Sequence, residues 1–72
     1  MLRLKYERQI RGFTQAHVGA AARVFRSELC LMEKGRLIPT PAQLQRLADA
    51  LRIEPASRLL EHVVVVREEV VR

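Results

Sequence analysis

The clearest structural signal in this chain of 72 residues is the stretch TQAHVGAAARVFRSELCLMEKG, Thr14 to Gly35. It holds two short segments with the apolar spacing of helices, and a turn lies between them. Thr14 can cap the first segment, while Leu29 and Met32 lie three residues apart in the second. The stretch therefore predicts two helices joined by a turn, the second of which runs from Arg26 to Lys34.

Three further helical segments flank this pair. Residues 2–11 place apolar side chains at helical spacing, and Gly12 is typical of the left-handed end of a helix. The sequence TPAQ at residues 40–43 combines a capping threonine, a proline at the first helical position and a glutamine at the third. Residues 55–60 predict a short fifth helix that begins with a proline. The pattern as a whole predicts an all-α fold of five helices.

The final segment, EHVVVVREEVVR, admits two interpretations. Its β-branched content favours a strand, whereas a continued helix would align three of its valines on one face. We therefore predict a helical domain at residues 1–62 and a tail at residues 63–72. The tail is the candidate dimer contact, as a strand that pairs with a second subunit, and a helical or disordered end is the alternative.

The composition indicates one small domain without covalent or metal cross-links. Cys30 is the only cysteine, which excludes an internal disulfide and favours a reducing compartment. An ordinary boundary position explains it better than a thiol sensor does. His17 and His62 lie far apart and outside any cluster with ligand spacing, so we expect no metal or other cofactor. Because so short a chain buries only about 60% of its unfolded surface, we expect a partner subunit to add stability.

The sequence also bears on location and activity. Its N-terminal residues lack the apolar core of a signal peptide, and the run Val63 to Val66 is too short to cross a bilayer. We therefore expect a soluble, cytoplasmic protein. The sequence contains neither a phosphate-binding glycine loop nor a nucleophile with an evident base, so we expect neither an enzyme nor a small-molecule substrate.

The net charge of +5 is confined to the first half of the chain. Residues 1–36 carry eight Lys and Arg residues and three glutamates, 8 − 3 = +5, and residues 37–72 carry five charges of each sign, 5 − 5 = 0. A basic half on a small domain favours a polyanionic partner, because neutralised phosphates release counterions and so draw the protein in.

Residues in all five helical segments form a set with fixed spacing: Arg8, Gly12, Phe13, Thr14, Gln15, Gly19, Val24, Leu29, Met32, Glu33, Lys34, Gly35, Pro39, Leu44, Leu47, Ala48, Leu51, Ile53, Pro55, Leu59 and Leu60. In type and spacing they resemble the lambda-repressor and Cro-like helix-turn-helix family, from about Leu4 to Leu60. The resemblance implies a five-helix domain that binds double-stranded DNA with its third helix in the major groove.

The resemblance also implies roles for individual residues. The bases would be contacted by Arg26, Ser27, Glu28 and Leu31. The phosphates would be contacted by Gln15, Arg23, Lys34 and Arg36. A structural ion pair between the first and third helices would consist of Arg8 and Glu33. The chemistry fits these roles, because arginine can bind guanine O6 and N7 together and glutamate can accept a hydrogen bond from a cytosine amine.

Four residues depart from the family pattern. Phe25 stands where a small polar cap is usual, and Leu31 stands where the family often has a polar base-contacting residue. Both either meet DNA, as Leu31 could on a thymine methyl, or form a protein contact. Arg23 and Arg52 occupy turn positions where glycine is usual, since a side chain costs about 1–2 kcal/mol in the left-handed conformation. Either these turns are less left-handed, or stability was given up for positive charge.

The resemblance implies a sequence-specific transcriptional regulator, repressor-like in action, that binds an inverted repeat as a homodimer. An alternative is a helix-turn-helix domain used as a protein-interaction module. In that case Phe25, Leu31 and the tail would form the docking surface.

Overall fold

A computed structural model describes residues 1–64 of the chain, and within them the fold is all-helical. Four α-helices precede one short 3-10 helix: α1 (Arg3–Ile10), α2 (Gln15–Ala22), α3 (Arg26–Glu33), α4 (Pro41–Leu51) and the 3-10 helix (Ala56–Leu60). The fifth segment expected to be helical is thus a 3-10 helix rather than an α-helix. Of the predicted tail only Val63 and Val64 are described, so the expected strand or helix at residues 65–72 lies outside the described residues.

The predicted N-terminal caps of two helices are confirmed. The Thr14 hydroxyl accepts a hydrogen bond of 3.0 Å from the backbone N–H of His17, which satisfies one free donor of α2. Thr40 and Gln43 form a capping box at α4, with reciprocal side-chain to backbone hydrogen bonds of 3.1 and 3.0 Å. The N-cap of α3 is Phe25, whose side chain makes no capping hydrogen bond.

Two arginines adopt the left-handed conformation at helix C-termini. Arg23 ends α2 with φ 56° and ψ 46°, and Arg52 ends α4 with φ 57° and ψ 48°. The possibility that these turns are less left-handed is therefore wrong. Each arginine carries a conformational cost of about 1–2 kcal/mol that a glycine would avoid.

The core is shared by all five helices. Its buried apolar side chains are Leu4, Val18, Ala22, Val24, Leu29, Met32, Leu47, Ala48, Leu51 and Leu59. The longest helix, α4, has only 11 residues, and isolated helices of such length are marginal in water. Burial of the shared apolar face therefore stabilises the helices more than their intrinsic propensity does.

The first residues of the chain pair with those that follow the 3-10 helix. Leu2 and His62 form an isolated antiparallel bridge. Backbone hydrogen bonds of 2.7 Å flank it on both sides, from Arg3 N to Glu61 O and from Val63 N to Met1 O. The bridge fixes the start of the predicted tail beside α1.

The turn between α2 and α3 depends on the absence of a side chain at residue 19. The backbone N–H of Val24 donates a hydrogen bond of 2.8 Å to the carbonyl oxygen of Gly19, which folds the turn back onto α2. A Cβ atom at Gly19 would lie 2.6 Å from the Val24 carbonyl oxygen, well inside the normal contact distance. The neighbouring atom is backbone, so it cannot rotate away. Glycine at this position therefore determines how closely α3 approaches α2.

We predict that Gly19→Ala lowers the free energy of unfolding by about 1–3 kcal/mol, because the added methyl overpacks the turn. Helix propensity alone predicts the opposite sign, since alanine is favoured over glycine in a helix by about 1 kcal/mol. Denaturant unfolding monitored by circular dichroism separates the two effects. A more stable Gly19→Ala variant would contradict the steric account.

Candidate nucleic-acid interface

Helix α3 turns one face to the core and the opposite face to solvent. Leu29, Met32 and Glu33 are buried, and at about 3.6 residues per turn Ser27 and Leu31 fall on the opposite side. Ser27 is exposed, and Leu31 keeps 41% of its surface accessible. The two most outward side chains of the helix are therefore both among the predicted base-contacting residues.

The other two predicted base-contacting residues occupy the flanks of this face. Arg26 is exposed and lines a shallow groove with Gln15 at the start of α2. Glu28 is half-buried and lines a second groove with Arg23 on the opposite flank. Each flank thus places a predicted base-contacting side chain beside a predicted phosphate-contacting one.

A buried ion pair joins α3 to α1. The Arg8 guanidinium donates from Nε to Glu33 Oε2 at 2.6 Å and from Nη2 to Glu33 Oε1 at 3.0 Å. Only 12% of the Arg8 side chain and 2% of the Glu33 side chain are accessible. The remaining Arg8 nitrogen, Nη1, donates to the carbonyl oxygen of Phe13 at 2.8 Å. The pair is therefore bidentate and further hydrogen-bonded, which a buried pair needs if it is to offset its desolvation.

Gln15 belongs to the same network. Its side-chain Nε2 donates to Glu33 Oε1 at 3.1 Å, so the ion pair orients the first residue of α2. A glutamine amide has a second N–H. That second donor is the group available for the predicted phosphate contact.

The basic residues of the first half divide into paired and unpaired groups. Glu7 forms ion pairs with Arg3 at 2.8 Å and with Arg11 at 2.5 Å, while Glu33 is paired with Arg8. Within residues 1–64, ion pairs are absent from the exposed cations in and next to α3: Arg23, Arg26, Lys34 and Arg36. Lys5 on α1 is half-buried and also lacks an ion pair in this part of the chain, so four of the five unpaired cations of the first half lie in or next to α3.

Two large apolar side chains are strongly exposed near these cations in sequence. Phe25 is 77% accessible and Ile38 is 81% accessible. Cys30 is a free thiol of intermediate burial. Because Phe25 is exposed, it is accessible for either of its proposed roles, which are contact with DNA and contact with protein.

Residues 1–64 hold no cluster of three or more His, Cys, Asp or Glu side chains that could bind a metal ion. None of their helices is long and apolar enough to cross a membrane.

The chain belongs to the helix-turn-helix domain family. The family model with that description matches residues 2–60, which run from the start of α1 to the end of the 3-10 helix. Comparisons with curated proteins and with solved structures gave no match. The family indicates a DNA-binding regulator, and α2 and α3 are the two helices of its motif.

One structural contact was not anticipated from the sequence. Arg46 on α4 donates from Nε to the carbonyl oxygen of Ala22 at 2.7 Å, which satisfies a free acceptor at the C-terminus of α2. The partner is 24 residues away, so no local pattern could identify it. This contact holds α4 against the end of the helix that leads into the turn.

We predict that Arg8→Met costs about 3–5 kcal/mol of stability, because it leaves the Glu33 carboxylate buried without its partner. The double variant Arg8→Met/Glu33→Met should lose less, since neither buried charge remains. Denaturant unfolding of the wild type, both single variants and the double variant completes the cycle. If the loss of stability in the double variant equals the sum of the losses in the two single variants, Arg8 and Glu33 are not coupled.

Glu7 has a pKa set by two opposing effects. Burial raises the pKa of Glu7, but hydrogen bonds from Arg11 and Arg3, together with their charges, outweigh burial and bring the pKa below its ordinary value. Ionised Glu7 therefore stabilises the fold above the pKa of the unfolded chain, about 4.3. This stabilisation is lost as the pH falls through the lower pKa of the folded state.

We predict that Glu7→Gln lowers stability by about 2 kcal/mol at neutral pH, because charged hydrogen bonds are lost. The difference from the wild type should shrink as the pH falls through the lowered pKa of Glu7 in the folded state, because the wild-type carboxylate itself then becomes protonated. Thermal unfolding across this pH range is the measurement, with Glu54→Gln as the control at an exposed glutamate. A difference that stays constant with pH would contradict the prediction.

Proposed function

We propose that this protein is a sequence-specific, double-stranded DNA-binding transcriptional regulator of the lambda-repressor and Cro-like type. The observation that carries the proposal is the solvent face of α3, where exposed polar side chains are surrounded by cations that have no ion-pair partner among residues 1–64. Its action would be repressor-like, through occupancy of an operator. A cytoplasmic location and the absence of enzymatic activity are part of the proposal.

Helix α3 supplies the base contacts in this proposal. The major groove of B-DNA admits one α-helix, and residues near the N-terminus of the second motif helix meet the base edges. Arg26 would bind a guanine through O6 and N7, Glu28 would accept from a cytosine amine, and Ser27 would tolerate several bases. Leu31, one turn further along, would contact a thymine methyl.

The cations around α3 supply the phosphate contacts. Arg23 lies in the turn before the helix, and Lys34 and Arg36 follow its C-terminus, so both ends are positively charged. Gln15 would add a hydrogen bond to a phosphate from the start of α2. Phosphate contacts fix the register of the helix in the groove, and base contacts then provide the specificity.

We further propose that the protein acts as a homodimer on an inverted repeat. Two copies of α3 would enter major grooves about 34 Å apart on one face of the duplex. The valine-rich tail, residues 63–72, would form the subunit contact by pairing strands. The proposal for the tail rests on its composition, because residues 65–72 lie outside the described residues.

A selection of random duplexes on the purified full chain tests the proposal. We expect an enriched inverted repeat whose affinity falls steeply between about 50 and 200 mM salt. Arg26→Ala should relax the preference at one base pair in each half-site and weaken binding by about 1–3 kcal/mol. Weak binding without an enriched motif would contradict the proposal and favour the protein-interaction alternative.

Two arginines with the same backbone conformation provide matched controls for the salt dependence. Arg23→Gly and Arg52→Gly should both raise stability, because both remove a side chain from a left-handed turn. Only Arg23→Gly should reduce the slope of log affinity against log salt, by about one. If the slope of log affinity against log salt is the same for the two variants, Arg23 does not contact a phosphate.

A further inference from the structure

Phe25 lies at the centre of the candidate interface. One groove brings it together with Gln15, Arg26, Ser27 and Cys30. The second groove brings it together with Gly19, Ala20, Arg23, Val24, Glu28 and Gln43. Phe25 therefore lines both grooves, and each groove also holds a predicted base-contacting and a predicted phosphate-contacting residue.

The position of Phe25 also carries a structural cost. It is the N-cap of α3, where Ser, Thr, Asp or Asn would accept a backbone hydrogen bond, and its side chain makes none. At the same time 77% of the residue is exposed to water, so the ring contributes little to the core. Neither helix capping nor core packing accounts for a phenylalanine here, which leaves contact with a bound partner.

Charge complementarity identifies the partner. Arg23 and Arg26 flank Phe25 in sequence, both are exposed, and neither forms an ion pair within residues 1–64. Arg23 is the proposed phosphate contact and Arg26 the proposed guanine contact. An apolar ring between them in sequence therefore matches an apolar group that lies between the phosphates and the edge of a guanine. The major groove has this arrangement, and the apolar group on its floor is the C5-methyl of a pyrimidine.

We propose that Phe25 is a specificity-determining residue that recognises the C5-methyl group of a pyrimidine beside the bases contacted by Arg26 and Glu28. This inference rests on the proposed function and adds to it a base contact without hydrogen bonds. The phenyl ring has no donor or acceptor, so it distinguishes bases only by their apolar surface. Thymine and 5-methylcytosine both carry the methyl group.

The test uses the operator duplex from the selection and the variant Phe25→Ser. Serine restores a preferred N-cap, so this variant should be at least as stable as the wild type, and a loss of binding cannot come from unfolding. Each thymine of one half-site is replaced in turn by uracil, which removes only the methyl group. For the wild type we expect one position at which uracil weakens binding about fourfold, the effect of one buried methyl.

The coupling between side chain and methyl group decides the result. In Phe25→Ser, uracil and thymine at that position should bind equally well, whereas Ile38→Ser, a variant at another highly exposed apolar residue, should keep the wild-type preference. A duplex with 5-methylcytosine at the same position tests whether the methyl group alone is recognised. We expect 5-methylcytosine to bind more tightly than cytosine to the wild type but not to Phe25→Ser, because the two bases differ only in the methyl group.

Two outcomes overturn the inference, and they are distinguishable. If an operator is enriched but no uracil substitution has an effect that depends on Phe25, the methyl contact is refuted while the proposed function stands. Phe25 would then be left for a protein partner. If no duplex is enriched, the proposed function fails, and the methyl contact fails with it.

Discussion

The buried ion pair between Arg8 and Glu33 is the interaction on which the arrangement of the DNA-binding motif depends. It fixes α3 to α1, and through the Phe13 carbonyl and the Gln15 amide it also orients the turn after α1 and the start of α2. Such a pair is not a strong source of net stability, because both charges must be desolvated. Its contribution is geometric, since it holds the two motif helices in one relative position before a partner binds.

Close backbone packing also fixes the position of α3 relative to α2. Gly19 lets the Val24 carbonyl approach to a distance that no other residue would permit, and Arg46 binds the free carbonyl at the end of α2. Both contacts lie next to the turn that leads into α3. The turn itself contains a left-handed arginine, which is less favourable than glycine but adds a cation near the helix N-terminus. Arg23 therefore lowers the stability of the turn but adds a positive charge beside α3, and this charge would favour a polyanionic partner.

The charge distribution gives the fold its functional interpretation. The sequence places an excess of +5 in residues 1–36, but the folded chain uses three of those arginines in pairs with buried glutamates. Of the first half's cations that stay unpaired in the described residues, all but Lys5 on α1 lie in or next to α3. The net charge of the first half of the sequence therefore suggests a broader basic surface than the folded chain has.

Much of the fold could be predicted from sequence because its signals are local. The capping threonines and the helical apolar spacing each act within a few residues, and they predicted four α-helices near their observed positions. Contacts between distant segments were harder, because Arg46 and the pairing of residue 2 with residue 62 depend on the tertiary fold. The left-handed turns at Arg23 and Arg52 could be suspected only from the family pattern, since arginine itself gives no such signal. For the candidate site, the sequence indicated which residues belong to α3 but not which cations stay unpaired.

A titration of the isotopically labelled full chain with the selected operator duplex, followed by amide chemical shifts, tests the central claim most directly. We expect the largest changes at Gln15, from Arg23 to Leu31 and from Lys34 to Arg36. The C-terminal half of α4 and the 3-10 helix should be little affected. Changes confined to α4, the 3-10 helix or residues 61–64 would contradict it, because α3 would then not be the element that meets DNA.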